Sequence, residues 1–245
     1  MDFSKINYQT FLGRLVRLPL RLIPKRMVLP IMQGRLKGKK WVVGAGSHGY
    51  WLGSYEIHKR IAFEREVKPG MLIYDIGANV GFYSILGAQL AGPNGSVIAF
   101  EPFHRNVEYI RKHIDLNQFK NIKVMEVAVS NVNGSVFFEP GISIATGHLS
   151  KTGSLEVQSI SLDKLFTDGT LPAPDVIKVD VEGAELDVFT GAQELIKNHR
   201  PLIFVDTHGR DAHEGTINFL TAKGYHFETL DGLPLANSKE LIARP

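Results

Sequence analysis

Tyr74-Asp75-Ile76-Gly77-Ala78-Asn79-Val80-Gly81 closes one apolar run and opens a helical pattern. Twenty residues beyond Gly81, at the end of a second apolar run, stands Glu101. An acid beside a glycine turn, followed by another acid one βα unit later, is how a Rossmann-like sheet holds an adenosine-containing cofactor. The glycine spacing decides which cofactor. A dinucleotide fingerprint reads G-x-G-x-x-G, so that backbone N–H groups and a helix dipole can take a pyrophosphate. Here the spacing is D-x-G-x-x-x-G, with a carboxylate at the turn. Asp75 repels a pyrophosphate and suits a cation. S-adenosylmethionine has no phosphate and carries a sulfonium and an ammonium, so the stretch points to methyl transfer over hydride transfer. In this reading Gly77 lets the backbone approach the ligand, with Ala78 and Asn79 completing the turn, and Gly81 lets the helix pack on the strand. Glu101, where Pro102 stops the strand, accepts hydrogen bonds from the ribose hydroxyls.

From residue 71 onward, strands and helices alternate. Strands are expected at Met71–Asp75, Ser96–Phe100, Ile122–Val129, Asp175–Val181, Leu202–Asp206 and Tyr225–Leu230, with a closing strand within 237–243. Helices are expected at Val80–Leu90, Phe103–Leu116, Ala184–Lys197 and Glu214–Lys223. The strands are buried, unalternating runs, which predicts an α/β fold with a doubly wound, mostly parallel, seven-stranded sheet and helices on both faces. Glu126 and Ala128, near the end of the third strand, lie on the edge of the crevice where adenine would rest. Residues 130–170 break the rhythm as a small β insertion, with short pieces at Val136–Phe138 and Leu155–Ile160 around a Gly/Ser/Thr-rich stretch. Ligands of open α/β sheets bind beyond the C-terminal strand ends, so the insertion is a candidate substrate cover. His148 within it is a weak candidate for reaching substrate.

Net charge is +3 but unevenly spread: residues 1–40 hold ten Lys/Arg and one acid. The chain divides into a basic N-terminal arm and lead-in, 1–55, and a catalytic domain, 56–245. Tyr8, Phe11, Leu12, Leu15 and Val16 give the arm an amphipathic helical stripe, ended by Pro19, Pro24 and Pro30. Such a segment suits anionic lipid, and it also suits a helix packed on the domain with its charges solvated. The longest apolar run of the arm, Met27 to Met32, is far short of the ~20 residues that span a bilayer. Arginines interrupt the place where a signal peptide needs its apolar core. The expected location is cytoplasmic; peripheral contact at the inner membrane surface through residues 1–40 is the second reading of the arm, slightly behind a helix packed on the domain. Without cysteine, disulfide and thiolate chemistry are excluded.

Lys178-Val179-Asp180-Val181-Glu182-Gly183-Ala184-Glu185 is the second cluster. Alternation puts Lys178, Asp180 and Glu182 on one side, and burying such groups is costly unless they pair or bind something. Acids at a helix N-terminus account for Glu185 and partly for Glu182, but not for Lys178 and Asp180. Asp206 and His208 end the next strand, where a histidine facing a cleft is a reasonable general base. The centre is expected to be metal-free, a reading placed ahead of Mg²⁺ held by two acids on adjacent strand ends.

These residues resemble the FkbM family of S-adenosylmethionine-dependent methyltransferases over approximately residues 50–230. The resemblance rests on Asp75 to Tyr83, on Phe100-Glu101-Pro102, on Ile160-Ser161-Leu162-Asp163, and on Ile177 to Glu185 with Gly191-Ala192 after it. The Lys-x-Asp-x-Glu-Gly-x-Glu run is the family-specific part. The family's Glu-x-His reads Asp206-Thr207-His208 here, one methylene shorter. The resemblance implies methylation of a hydroxyl on a sugar, polysaccharide or secondary metabolite. Proton removal is then expected from His208 or Asp180, with Glu182 and Lys178 orienting substrate or tuning the neighbouring carboxylate. The other classes weighed were an RNA- or lipid-surface-associated methyltransferase and an NAD-dependent oxidoreductase; no RNA-binding signature accompanies the basic arm, so a nucleic-acid partner is not expected.

Overall fold

The computed structural model describes residues 20, 22–139, 148–149 and 155–245. The arm helix expected over 8–18 lies outside them. The lead-in forms a hairpin, β1 (Val28–Pro30) and β2 (Lys40–Val42), then one helical turn, α1 (Gly49–Leu52), before α2 (Ile57–Glu66). The βα alternation follows: β3 (Leu72–Ile76), α3 (Phe82–Ala91), β4 (Ser96–Phe100), α4 (His104–Asn117) and β5 (Ile122–Met125). The insertion contributes β6 (Ala128–Val129), β7 (Gly134–Glu139), β8 (His148–Leu149) and β9 (Leu155–Ile160), which make a four-stranded sheet in the order β6-β9-β7-β8. The chain then returns through α5 (Leu162–Thr167), β10 (Val176–Val179), α6 (Glu185–Thr190), α7 (Gln193–His199), β11 (Leu202–Asp206), α8 (Arg210–Ala222), β12 (His226–Thr229) and β13 (Glu240–Arg244).

The main sheet has seven strands in the order β12-β13-β11-β10-β3-β4-β5, and β13 alone runs against its neighbours. The order reverses between β3 and β10, so the crevice lies beyond their C-terminal ends. Strand alternation sends side chains to two cores. Ile73, Val97, Val176, Phe204 and Ile242 face α2, α3 and the lead-in. Tyr74, Ile98, Ile177, Ile203 and Ala243 face α6, α7 and α8. Asp75 and Lys178 are cross-strand partners on the first of these faces. Among the described residues no helix is long and apolar enough to cross a membrane.

Three expected elements change at their ends for identifiable reasons. The third strand stops at Met125, where a tight turn sends the Val127 N–H to the Met125 carbonyl; Ala128–Val129 then pair with β9 instead. The helix expected over Ala184–Lys197 is two helices. Gly191 packs so closely on the Ser130 carbonyl that a Cβ there would lie 2.2 Å from it. Asp163 then caps the second helix, accepting from the N–H groups of Glu194 at 3.1 Å and Leu195 at 2.9 Å. The helix expected from Glu214 begins at Arg210, just after Gly209 turns the chain at φ +89°.

The lead-in is fastened to the body by a buried histidine. His113 of α4 stacks on Trp41 at 3.8 Å between ring centroids. Its Nε2 accepts from the Val42 N–H at 3.2 Å and its Nδ1–H donates to the Val80 carbonyl at 2.9 Å. These partners fix one neutral tautomer, and burial lowers the imidazole pKa to about 4. A depressed folded pKa gives stability that is present above the unfolded value and lost as pH falls through the folded one. Denaturant melts should therefore show up to about 3 kcal/mol lost from this group between pH 6.5 and pH 4. His113→Phe should flatten that window; an unchanged slope would remove His113 as its source.

Candidate active site

The first wall of the crevice is the turn after β3. The N–H groups of Gly77 and Ala78 both donate to the Phe100 carbonyl at 3.0 Å. Gly77 (φ +72°) passes so close to the exit of β10 that a Cβ would lie 1.9 Å from the Asp180 carbonyl oxygen. At Gly81 a Cβ would press on Ile110 of α4 at 3.2 Å. Asn79 is left-handed at φ +50° and donates its N–H to Glu101 Oε2 at 2.8 Å. Glu101 also accepts from the Phe103 N–H at 3.0 Å and the Asn106 amide at 3.2 Å. Three of its roughly four acceptor positions are thus taken, which leaves room for one further donor such as a ribose hydroxyl. Burial pushes the Glu101 carboxyl up to about 7. Pro102 is half-buried where the chain leaves β4.

The second wall is the turn after β10. Lys178 is buried, and its Nζ lies 3.5 Å from Asp75 Oδ1, 3.5 Å from Asp180 Oδ2 and 3.4 Å from the Gly77 carbonyl. Asp75 is wholly buried beneath the turn, accepting from Ser84 Oγ at 2.6 Å. It reaches the crevice through Lys178. Burial works against the Lys178 charge, but Asp180 and Asp75 together outweigh it, and its pKa rises. Beyond Asp180 the chain turns through Glu182, another left-handed non-glycine at φ +54°. Strain of this kind clusters at ligand sites.

His208 completes this wall. Its Nδ1 bonds Glu185 Oε1 at 2.8 Å, while Nε2 lies 3.8 Å from Asp180 Oδ1 and 3.7 Å from Glu182 Oε2. Glu185 is wholly buried and also accepts the Gly183 N–H at 3.0 Å. It therefore does more than suit a helix dipole: it fixes the imidazole ring. The bond to Glu185 leads, burial opposes, and Asp180 and Glu182 assist; together they raise His208 to about 9.

A third layer comes from outside the motifs. Lys59 of α2 is buried against Asp206, with Glu56 Oε2 at 2.6 Å. Tyr83 lies between the lysines, its ring centroid 5.5 Å from Lys59 Nζ and 5.3 Å from Lys178 Nζ, and its hydroxyl donates to Glu56 at 3.0 Å. Burial, then Asp180 and Glu56, pushes Asp206 up to about 8 against the pull of Lys59. Burial raises Asp180 too, but Lys178, Lys59 and His208 together hold it below the usual carboxylate range. Glu56 and Lys59 stand in a segment with no chemical motif. Only an acid and a lysine three apart on a helix hint at them.

Asp75, Gly77, Asn79, Glu101, Lys178, Asp180, Glu182 and His208 thus converge on one crevice. Two expected residues do not. Glu126 is at the surface, paired with His104 Nδ1 at 2.7 Å and Arg111 at 3.4 Å. Ala128 is buried in the insertion sheet, paired with Ser159. The His148 side chain lies outside what the structure describes.

The residues fit a ligand with a cationic head and an adenosine. Gly77 lets the two turns close on each other, Glu101 has one acceptor position open, and Asp180 and Glu182 face the crevice as acids. Among the described residues, Lys178 is already held by two carboxylates and so offers no free counter-charge to a phosphate.

A family model described as the methyltransferase FkbM domain matches residues 75–227. Hexuronic acid methyltransferase AglP of Haloferax volcanii is 30% identical over 135 residues, covering 54% of each chain, so the match spans about half the length of that relative. The 2-O-methyltransferase NoeI of Sinorhizobium fredii is 28% identical over 184 residues, covering 67% of this chain and 74% of its own. Among solved structures, the methyltransferase FkbM of Methylobacillus flagellatus KT superposes with a TM-score of 0.51 at 18% identity, covering 82% of this chain and 56% of that one. A precorrin-6y C5,15-methyltransferase from Geobacter metallireducens GS-15 gives 0.50 at 17%, covering 76% and 88%.

Proposed function

The chain belongs to the FkbM methyltransferase family, and from that premise we propose that it transfers a methyl group from S-adenosylmethionine to a hydroxyl of a sugar or glycan. The observation that carries this reading is the Glu185–His208 pair, which aims Nε2 at the crevice where the Gly77 turn and Asp180 meet. The two sugar-modifying relatives support the acceptor class. When bound, the cofactor would supply an electrophilic methyl group to the acceptor oxygen, with its thioether as the leaving group.

A sugar hydroxyl attacks well only if its proton is accepted in the transition state. His208 Nε2 takes that proton, and Glu185, bonded to Nδ1, keeps the ring in place and stabilises the imidazolium that results. Asp180, held anionic by Lys178, orients the hydroxyl and offsets the charge gathered on His208. Glu101 would hold the ribose beside the Gly77 turn, and holding donor and acceptor in line would provide much of the acceleration.

Two measurements test this. Calorimetry should find S-adenosylhomocysteine binding and no binding of NAD; the reverse would end the methyltransferase reading. The pH profile then separates the two candidate bases. With a folded pKa of about 9, only about one His208 in a hundred is neutral at pH 7. If neutral His208 is the base, kcat/KM rises with pH and levels above about 9. A profile flat from pH 6 to 9 would transfer the role to Asp180, which is ionised throughout that range.

A further inference from the structure

We propose that Lys59 is a positioning residue that serves the centre as its resident cation, its ammonium filling a carboxylate cage of Glu56, Asp180 and Asp206 that otherwise has the make-up of a divalent metal site. This rests on the reading above, since it concerns the same centre. One oxygen from each of these three carboxylates lies within 4.8 Å of the others. Three carboxylates so close call for a cation among them. Lys59 provides it: Nζ touches Asp206 and Glu56 directly and lies 3.9 Å from Glu240. Lys59 is 2% exposed, and burying an ammonium costs several kcal/mol before its partners offset it. A buried ion pair is weak evidence of stabilisation in itself, so its placement needs another reason.

The position provides one. Lys59 and Lys178 both lie over the Tyr83 ring, at 5.5 and 5.3 Å from its centroid, and each pairs with different acids of the centre. Lys178 neutralises Asp75 and one side of Asp180; Lys59 neutralises Asp206 and Glu56. Asp180 is left ionised, with one oxygen turned to His208 at 3.8 Å. A hard divalent ion bound by carboxylate oxygens would hold the same three groups together. Lys59 and Glu56 both lie outside residues 75–227, the segment that matches the family model. The resident cation thus comes from a helix that precedes the matched segment.

The test is to remove the ammonium and offer a metal. Lys59→Ala is titrated with Mn²⁺ by electron paramagnetic resonance and calorimetry, without acceptor, so the result reads on Lys59 even if no sugar proves to be a substrate. The expected outcome is Mn²⁺ binding roughly tenfold or more tighter than to the wild type. A rise in the melting temperature of the variant with Mn²⁺ should accompany it. With the acceptor established for the wild type, kcat of Lys59→Ala should fall and Mn²⁺ should restore part of it, while EDTA leaves wild-type kcat unchanged. Equal Mn²⁺ affinity in the two proteins, or wild-type activity lost to EDTA, would overturn the proposal. If Lys59→Ala fails to fold even with Mn²⁺, Lys59→Ala/Asp206→Asn decides, because it removes the ammonium together with the carboxyl it touches. It should fold and lose about tenfold or more in kcat; wild-type kcat in that double variant would overturn the proposal.

Discussion

Gly77→Ala is expected to abolish cofactor binding and to destabilise the fold by roughly 2–5 kcal/mol, the sum of left-handed strain and overpacking. The added methyl would lie 1.9 Å from the backbone carbonyl of Asp180, and φ at this position is +72°. No flexible side chain stands in the way to move aside: either the β3 turn or the β10 turn must shift, and those two turns form both walls of the crevice. Gly92 is the internal control. It has a similar φ of +66° at the other end of α3, and a Cβ there meets nothing within 4 Å. Gly92→Ala should cost about 1–3 kcal/mol from strain alone, because φ +66° with ψ −170° is a region that essentially only glycine adopts, and leave S-adenosylhomocysteine affinity unchanged. Calorimetry on the pair separates a close approach at the site from positive-φ strain elsewhere. Equal behaviour of the two variants would mean that the Gly77–Asp180 contact does not shape the site.

His208→Gln and Asp180→Asn are each expected to lower kcat by about 10²-fold or more while S-adenosylhomocysteine still binds. Glutamine keeps a polar group near Glu185 but cannot accept and hold the proton. The rising limb of the pH profile should disappear with His208 and survive in Asp180→Asn. Glu185 is the check on this assignment. If its role is to hold the imidazole, Glu185→Gln should lower the His208 pKa, because the carboxylate is the leading cause of its elevation. The limb would then move to lower pH. Full turnover in both His208→Gln and Asp180→Asn would leave the centre without its proposed chemistry.

The fold was legible because its signals are local. Continuous apolar strands, a glycine turn after the first of them and helical stripes between them all act within about ten residues of chain, and they agree with one another. The crevice motifs were legible for the same reason: Asp75 to Gly81 and Lys178 to Glu185 are each one strand end and the turn that follows. What escaped depends on distant partners. The break between α6 and α7 comes from the carbonyl of Ser130 against Gly191 and from the Asp163 cap. The shift of Ala128 into the insertion sheet depends on β9, some thirty residues on in the chain. Lys59 and Asp206 are 147 residues apart, and nothing in the periodicity of α2 marks one of its lysines as buried. Glu185 gave a misleading local signal. An acid in the first turn of a helix is explained by the helix itself, and only the packed structure turns it toward His208.

The central claim is methyl transfer to a sugar oxygen through the crevice between β3 and β10. Its most direct test is mass spectrometry of saccharide acceptors incubated with the protein and trideuteromethyl-labelled S-adenosylmethionine. The expected product is a trideuteromethyl ether on a sugar hydroxyl, formed by the wild type and reduced about 10²-fold with His208→Gln. Label found on nitrogen or carbon, or an equal yield of the ether from His208→Gln, would contradict the account.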